Sequence, residues 1–272
     1  MTAVPAGLLF LTGAGTGLIG ALLGLGGGVF LVPILTLVLD VPIRAAIAAS
    51  LISVIATASA SATVNLNRGL VNMRLGLVLE VATSVGGLAG GIAAAHLTHR
   101  QLFLTFAATL GVMGTLMAAR SGRRNVLPHS STEDPGRLGG HLREGSTLYM
   151  YRVKRLPAGL LASLVAGAIS GLLGVGGGIV KVPALNTFCG IPIRVAAATS
   201  TFMIGVTAAA SAFIYFSRGD VVLPMTAAVC LGALPASLLG ARLSERVHAR
   251  SLKMLMAVVL FVVGARMALA GL

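Results

Sequence analysis

The sequence predicts an all-α polytopic membrane protein with about eight hydrophobic helical segments in two inverted repeats, each repeat opening with a glycine-broken, re-entrant segment. Three observations predict it. Of 272 residues, 56% are hydrophobic and only 10% charged, with a mean hydropathy of +0.97, whereas a soluble domain carries roughly 25% charged residues. The run Gly24-Leu25-Gly26-Gly27-Gly28, followed by Pro33, returns 150 residues on as Gly174-Val175-Gly176-Gly177-Gly178 and Pro183. A basic polar stretch separates the two copies.

In chain order, residues 5–39 hold the first broken apolar segment. Helices follow near 43–66, 75–97 and 101–119, each close to the ~20 residues that a bilayer core requires. No basic residue precedes the first segment, Arg44 being the first in the chain. That segment therefore reads as part of the membrane body and not as a secretory signal. The linker, 120–156, carries Arg120, Arg123, Arg124, Arg137, Arg143, Arg152, Lys154 and Arg155 against Glu133, Asp134 and Glu144. Its Ser-Ser-Thr-Glu-Asp-Pro-Gly run, 130–136, has turn or disordered chemistry. A second broken segment follows at 157–189, then helices near 193–216, 221–243 and 252–270. The chain thus divides into a first transmembrane repeat (1–119), a basic cytoplasmic linker (120–156) and a second repeat (157–272).

The repeat is specific. Residues 17–48 align with 167–198 without a gap and share 16 of 32 positions. The register persists: Pro42-Ile43-Arg44 matches Pro192-Ile193-Arg194, Ser61 matches Ser211, and Arg68-Gly69 matches Arg218-Gly219. Lys and Arg concentrate in cytoplasmic loops. With the linker inside and each broken segment returning to its own side, only Arg44, Arg100, Arg218 and Arg266 lie outside and Lys181 lies in the membrane. If the broken segments crossed fully, the cluster Arg242, Arg246, Arg250 and Lys253 would also be external. The charge distribution favours inversion, with both termini outside.

The glycine runs are the first functional candidates. Glycine weakens a helix and bares its backbone, and bare backbone survives at membrane depth only where it is buried in protein or lines a cavity. Paired breaks in two halves point to a transporter's binding site. Gly26, Gly27 and Gly28 with Gly176, Gly177 and Gly178 would offer backbone N–H groups to a small anion. Lys181, three residues after the second run, would supply charge, since a fixed cation beside a helix N-terminus makes an anion site. Burying it costs at least ~2.5 kcal/mol, which makes it a functional candidate by default; the alternative is a lysine that snorkels to an interface. Its repeat mate is Leu31.

The helices after each break are rich in Ala, Ser and Thr, which suits close packing in lipid. Among their hydroxyls, Ser50, Thr199 and Ser200 are the candidates to face a ligand. Arg44 and Arg194 start these helices beside a proline; they could attract anions or simply anchor helix ends. Glu80 is the one acid within a predicted transmembrane helix. It lies six residues after Arg74, ~9 Å along a helix, and is the candidate carboxylate for proton coupling or for pairing with a basic residue. Asn186 is the asparagine best placed to face a cavity.

Other chemistries find no support. The net charge of +13 would suggest nucleic acid in a soluble chain, but here the basic residues lie in loops and orient the protein. The glycine run is no dinucleotide fingerprint, and no Walker Lys-Ser/Thr follows it. His96 and His99 lack further ligands, so no metal or other cofactor is implied. Cys189 and Cys230 read as small buried hydrophobes.

The doubled Gly-x-Gly-Gly-Gly…Pro frame, Pro192-Ile193-Arg194, Ala198-Thr199-Ser200 and Phe202-Met203-Ile204-Gly205-Val206-Thr207-Ala208 resemble the TauE/SafE family of inner-membrane permeases. The resemblance covers roughly 5–119 and 157–270 and omits the linker. It implies a sulfur-containing anion, sulfite or an organosulfonate, where the residues alone say only a small anion. The first repeat carries Ala48-Ala49-Ser50, so the hydroxyl pair is complete only in the second copy. The expectation is a non-enzymatic secondary transporter of the cytoplasmic membrane, working by alternating access and compatible with a homo-oligomer. The alternatives are a passive anion channel of the same fold, or a membrane scaffold or sensor acting through the linker.

Overall fold

The computed structural model describes residues 5–23, 26–119, 136–144, 147–243 and 249–271. Among them, helix α1 (Ala6–Leu23) and the short α2 (Gly28–Leu37) form the first broken segment. Helices α3 (Ile43–Asn67), α4 (Met73–His96) and α5 (His99–Ala119) complete the first half. Two strands, β1 (Gly140–Glu144) and β2 (Thr147–Tyr151), follow. The second half repeats the pattern with α6 (Leu156–Leu173), α7 (Gly178–Thr187), α8 (Ile193–Ser217), α9 (Leu223–Leu243) and α10 (Ala249–Gly271). By length and composition, α3, α4, α6, α8 and α9 can each cross a membrane.

Both breaks have one cause. Gly27 and Gly177, at φ +75 and +67, immediately precede α2 and α7. Side chains rarely tolerate that left-handed conformation, so the chain turns where glycine permits it. The break residues that are described are buried, as non-helical backbone at membrane depth must be.

The halves interlock. Helix α1 packs on α9 and its repeat mate α6 packs on α4, while α3 meets α8 at the centre and α5 meets α10. Contacts give the directions. Gly13 and Gly17 of α1 lie at Val229 and Ala233 of α9, so these helices run together. Gly76, Gly87 and Gly91 of α4 lie at Thr199, Thr207 and Ile214, so α4 and α8 run together. Helices α5 and α10 run opposite ways, Gly114 facing Phe261 and Phe103 facing Gly271.

Lipid tails are as apolar as leucine, so these helices associate by close fit. A Cβ on Gly90 would stand 2.0 Å from the carbonyl oxygen of Ala168, and one on Gly167 equally close to that of Thr83. Only glycine allows α4 and α6 that approach. The opposite face of α4 carries Leu77, Val81, Val85, Leu88 and Ile92, spaced about one turn apart and exposed as a lipid-facing stripe.

The linker differs from its expected reading. Residues 130–135 lie outside the described residues, but Gly140–Glu144 and Thr147–Tyr151 pair antiparallel, with Gly140 facing Tyr151. Leu142 and Tyr151 are buried with Leu75, Leu79, Leu185, Cys189 and Met203. The linker is rich in charge, but its apolar positions seat it. Asn72 fastens it, its Nδ2 donating to Leu138 O (2.9 Å) and to the Tyr151 hydroxyl (3.1 Å). The Lys154 amide donates to Cys189 O at 3.0 Å.

Candidate functional site

The two breaks meet at the centre. Gly28 packs so tightly on the second break that a Cβ there would lie 2.3 Å from Gly174 O and 2.7 Å from Ser50 Oγ. Ser50 reaches across the halves and donates to Gly174 O at 2.8 Å. Thr57, two turns further along α3, donates to Gly26 O at 3.2 Å. Hydroxyls of α3 therefore satisfy a carbonyl in each break, while the first amides of α2 and α7 head their helices.

Lys181 extends from the first turn of α7, its amide bonded to Gly177 O. It is 1% exposed, and its ammonium stands 3.9 Å from Glu80 Oε2 on α4. That separation is an ion pair but too long for a hydrogen bond. The direct partner is Thr207 of α8, which accepts from Lys181 Nζ at 3.1 Å and donates to Glu80 Oε1 at 2.7 Å. Ser84 donates to the same Oε1 at 3.0 Å. Glu80 Oε2 is buried with no hydrogen-bond partner among the described residues. Thr207 lies one turn past Ile204, the side chain beside which Gly26 packs. The charged cluster and the first break thus share one wall of α8.

The cluster belongs to one half only. At the repeat-equivalent positions stand Leu31, Cys230 and Thr57. The repeat-equivalent positions thus keep the threonine and replace both charges.

The other sequence candidates are distributed around this centre. Ser50 is bound to the second break. Thr199 lies at the hairpin end of α8 and accepts from the Asn72 amide at 3.0 Å. Ser200 is fully buried, and its hydroxyl has no partner among the described residues. The residue matching Ser50's acceptor, Gly24, lies outside them. Arg44 anchors a helix end, donating to Ala95 O (3.3 Å) and Leu97 O (3.0 Å). Arg194 is exposed at the start of α8. Asn186 donates to Ile191 O at 2.8 Å and so braces the turn after α7 instead of facing a cavity. Cys189 is buried, whereas Cys230 is only half-buried.

Sequence reasoning missed the partner of Glu80. Arg74 is six residues away, which on a helix turns it to another face, and it is exposed. It also passed over Thr207 as a ligand, although Thr57 at the matching position was a visible signal.

Apolar spanning helices, paired helix breaks in the interior and a buried lysine–glutamate pair beside them define a polytopic helical membrane protein built around a central polar site. The family model described as Sulfite exporter TauE/SafE matches residues 9–267, and the chain belongs to that family. It is 25% identical to the Probable membrane transporter protein YunE of Bacillus subtilis (strain 168), over 97% of this chain and 98% of that protein. It is 22% identical to the Probable membrane transporter protein MJ0441 of Methanocaldococcus jannaschii, over 94% and 93% respectively. No solved structure matches it significantly. The chain is a membrane transporter.

Proposed function

We infer that the protein is a secondary transporter that moves a small anion, sulfite or an organosulfonate, across the cytoplasmic membrane by alternating access. The observation that carries this reading is the ammonium of Lys181, buried in the first turn after one glycine break. The two breaks touch in this arrangement; the substrate would sit between them when they part, on amides of Gly26 to Gly28 and Gly176 to Gly178. Lys181 would balance its charge, and the unpartnered hydroxyl of Ser200 would donate to it. Ser50 and Thr199 act beside it by fixing the second break and the start of α4. The family's description supports a sulfur-containing substrate.

Inverted repeats are supported by helix direction. The repeat mates α5 and α10 pack antiparallel. Helix α8 runs with α4, although its own mate is α3, which α4 reverses after a short turn. Re-entry of the broken segments has similar support. Helix α1 runs with α9, and α9 ends beside the end of α3, where Arg68 donates to Ala241 O at 3.4 Å. Helices α1 and α3 then start at the same membrane face, and the chain turns back between them. The basic linker at the other face is the cytoplasmic one.

The test is flux of labelled sulfite, sulfoacetate, taurine and sulfate in liposomes holding the purified chain, with Lys181→Ala as control. Saturable flux of a sulfur-containing anion that Lys181→Ala abolishes is expected. Flux that rises linearly without saturating would make the protein a channel. Flux unchanged by Lys181→Ala would remove the lysine from the site.

A further inference from the structure

Resting on that transport reading, we propose that Lys181 and Glu80 form an exchange pair that couples the anion to a proton. An anion entering the site takes the ammonium of Lys181, and Glu80, released from it, takes a proton on Oε2. One proton then travels with each singly charged anion, in the same direction.

Charge conservation in a buried site carries the first step. Lys181 is 1% exposed and Glu80 5%. Empty, the site holds one positive and one negative charge. An added anion would leave a net negative charge away from water, which is strongly unfavourable unless it is paired. A proton on Glu80 restores neutrality, so the empty and loaded sites carry the same net charge and both can reorient.

The geometry suits the exchange. The pair is held at 3.9 Å without a direct hydrogen bond, so Lys181 can turn to an anion by giving up one hydrogen bond, to Thr207, and exchanging one negative partner, Glu80, for another. The carboxylate does not depend on the lysine for its position. Oε1 accepts from both Thr207 and Ser84 and stays held when Lys181 leaves. Oε2 is buried with no hydrogen-bond partner among the described residues and is the atom left to receive the proton.

Among the described residues, α4, α6, α7 and α8 carry no other buried charged side chain. On α4, Arg74 and His96 are exposed at the two ends. On α6, Arg155 is exposed at the start. On α8, Arg194 is exposed, and Tyr215 is bound to Gly171 O two turns beyond Thr207. Beyond α7, Cys189 packs at Gly159. The matching positions of the other half are Leu31 and Cys230, so the described residues hold one exchange pair, which sets a stoichiometry of one proton.

The experiment uses full-length chain in liposomes with a trapped pH dye. The probes are methanesulfonate, fixed at one negative charge, and sulfite counted against protein-free liposomes. In wild type, an inward anion gradient should acidify the lumen by one proton per methanesulfonate, and an imposed membrane potential should leave the rate unchanged. Glu80→Gln, which mimics the protonated acid, should carry anion without protons and make flux respond to potential. Wild-type flux without protons, or one proton per anion in Glu80→Gln, overturns the exchange pair and leaves the transport reading standing. Wild type that carries neither probe, nor any anion of the flux panel, overturns the transport reading and the exchange pair with it. If Glu80→Gln fails to fold, the wild-type proton count and its potential dependence decide alone.

Discussion

Lys181 and Glu80 face each other at 3.9 Å inside the bundle, joined through the hydroxyl of Thr207 and not to each other. Removing either charge strands the other where water cannot reach it. Lys181→Met alone should destabilise the protein by ~3–5 kcal/mol, the usual cost of breaking a buried pair. The double variant Lys181→Met/Glu80→Gln should recover most of that loss, because no unpaired charge remains. Unfolding in detergent, followed in a Cys230→Ala background by reaction of the buried Cys189 with a fluorogenic thiol reagent, measures both. A double variant no more stable than the single one would mean that the two charges are not coupled.

The seam between α4 and α6 gives a second expectation. A methyl group at position 90 would lie 2.0 Å from a backbone oxygen of α6, which no rotamer change can relieve. Gly90→Ala should therefore cost ~1–3 kcal/mol by forcing the helices apart. Gly15→Ala is the control: that glycine is exposed on α1 with nothing within 4 Å. There alanine's helix propensity should leave stability unchanged or raise it by up to ~1 kcal/mol. The same thiol-reactivity unfolding assay separates the two.

How much of this was legible from the sequence varies with the physics involved. The repeat, the breaks and the helix spans could be read because glycine runs, prolines and apolar lengths are local signals. Lys181 stood out for a similar reason, as a charge inside an apolar run. Its partner did not, because Glu80 is 101 residues earlier and the pair exists only when α7 meets α4 through α8. Ser50 follows the first break in sequence, but its acceptor, Gly174 O, lies in the other half. The hairpin was missed because its seat, with Asn72, Leu75 and Leu185, is assembled from distant helices and leaves no periodic trace in the linker.

Ser50 and Ser200 occupy matching positions but should respond differently to loss of the hydroxyl. Ser50→Ala leaves Gly174 O without its bond and should cost ~1–3 kcal/mol of stability. Ser200→Ala removes a hydroxyl with no partner among the described residues and should leave stability unchanged. If Ser200 donates to the anion, its loss should raise the half-saturating substrate concentration about tenfold, the worth of one hydrogen bond to a charged group. Flux against substrate concentration in liposomes reads this directly. A Ser200→Ala variant with unchanged half-saturation removes that hydroxyl from the substrate site.

The hairpin's attachment can be tested through one phenol. Tyr151 accepts from Asn72 at 3.1 Å and is 4% exposed. Burial pushes its ionisation up from the usual 10.0, the bond from Asn72 opposing in part. A raised value means that the docked hairpin prefers the neutral phenol, so docking is complete below tyrosine's ordinary ionisation and weakens as pH rises through the docked one. The difference between tyrosinate absorbance titrations of wild type and Tyr151→Phe isolates this group, and its midpoint should lie above 10. Tyr151→Phe also loses the bond itself, at ~1 kcal/mol. Near neutral pH, tryptic cleavage after Arg152, which tracks the population of the open form, should then run about fivefold faster. Equal cleavage rates would mean that the buried leucine and the remaining Asn72 bond, and not the phenol, keep the hairpin on the helix ends.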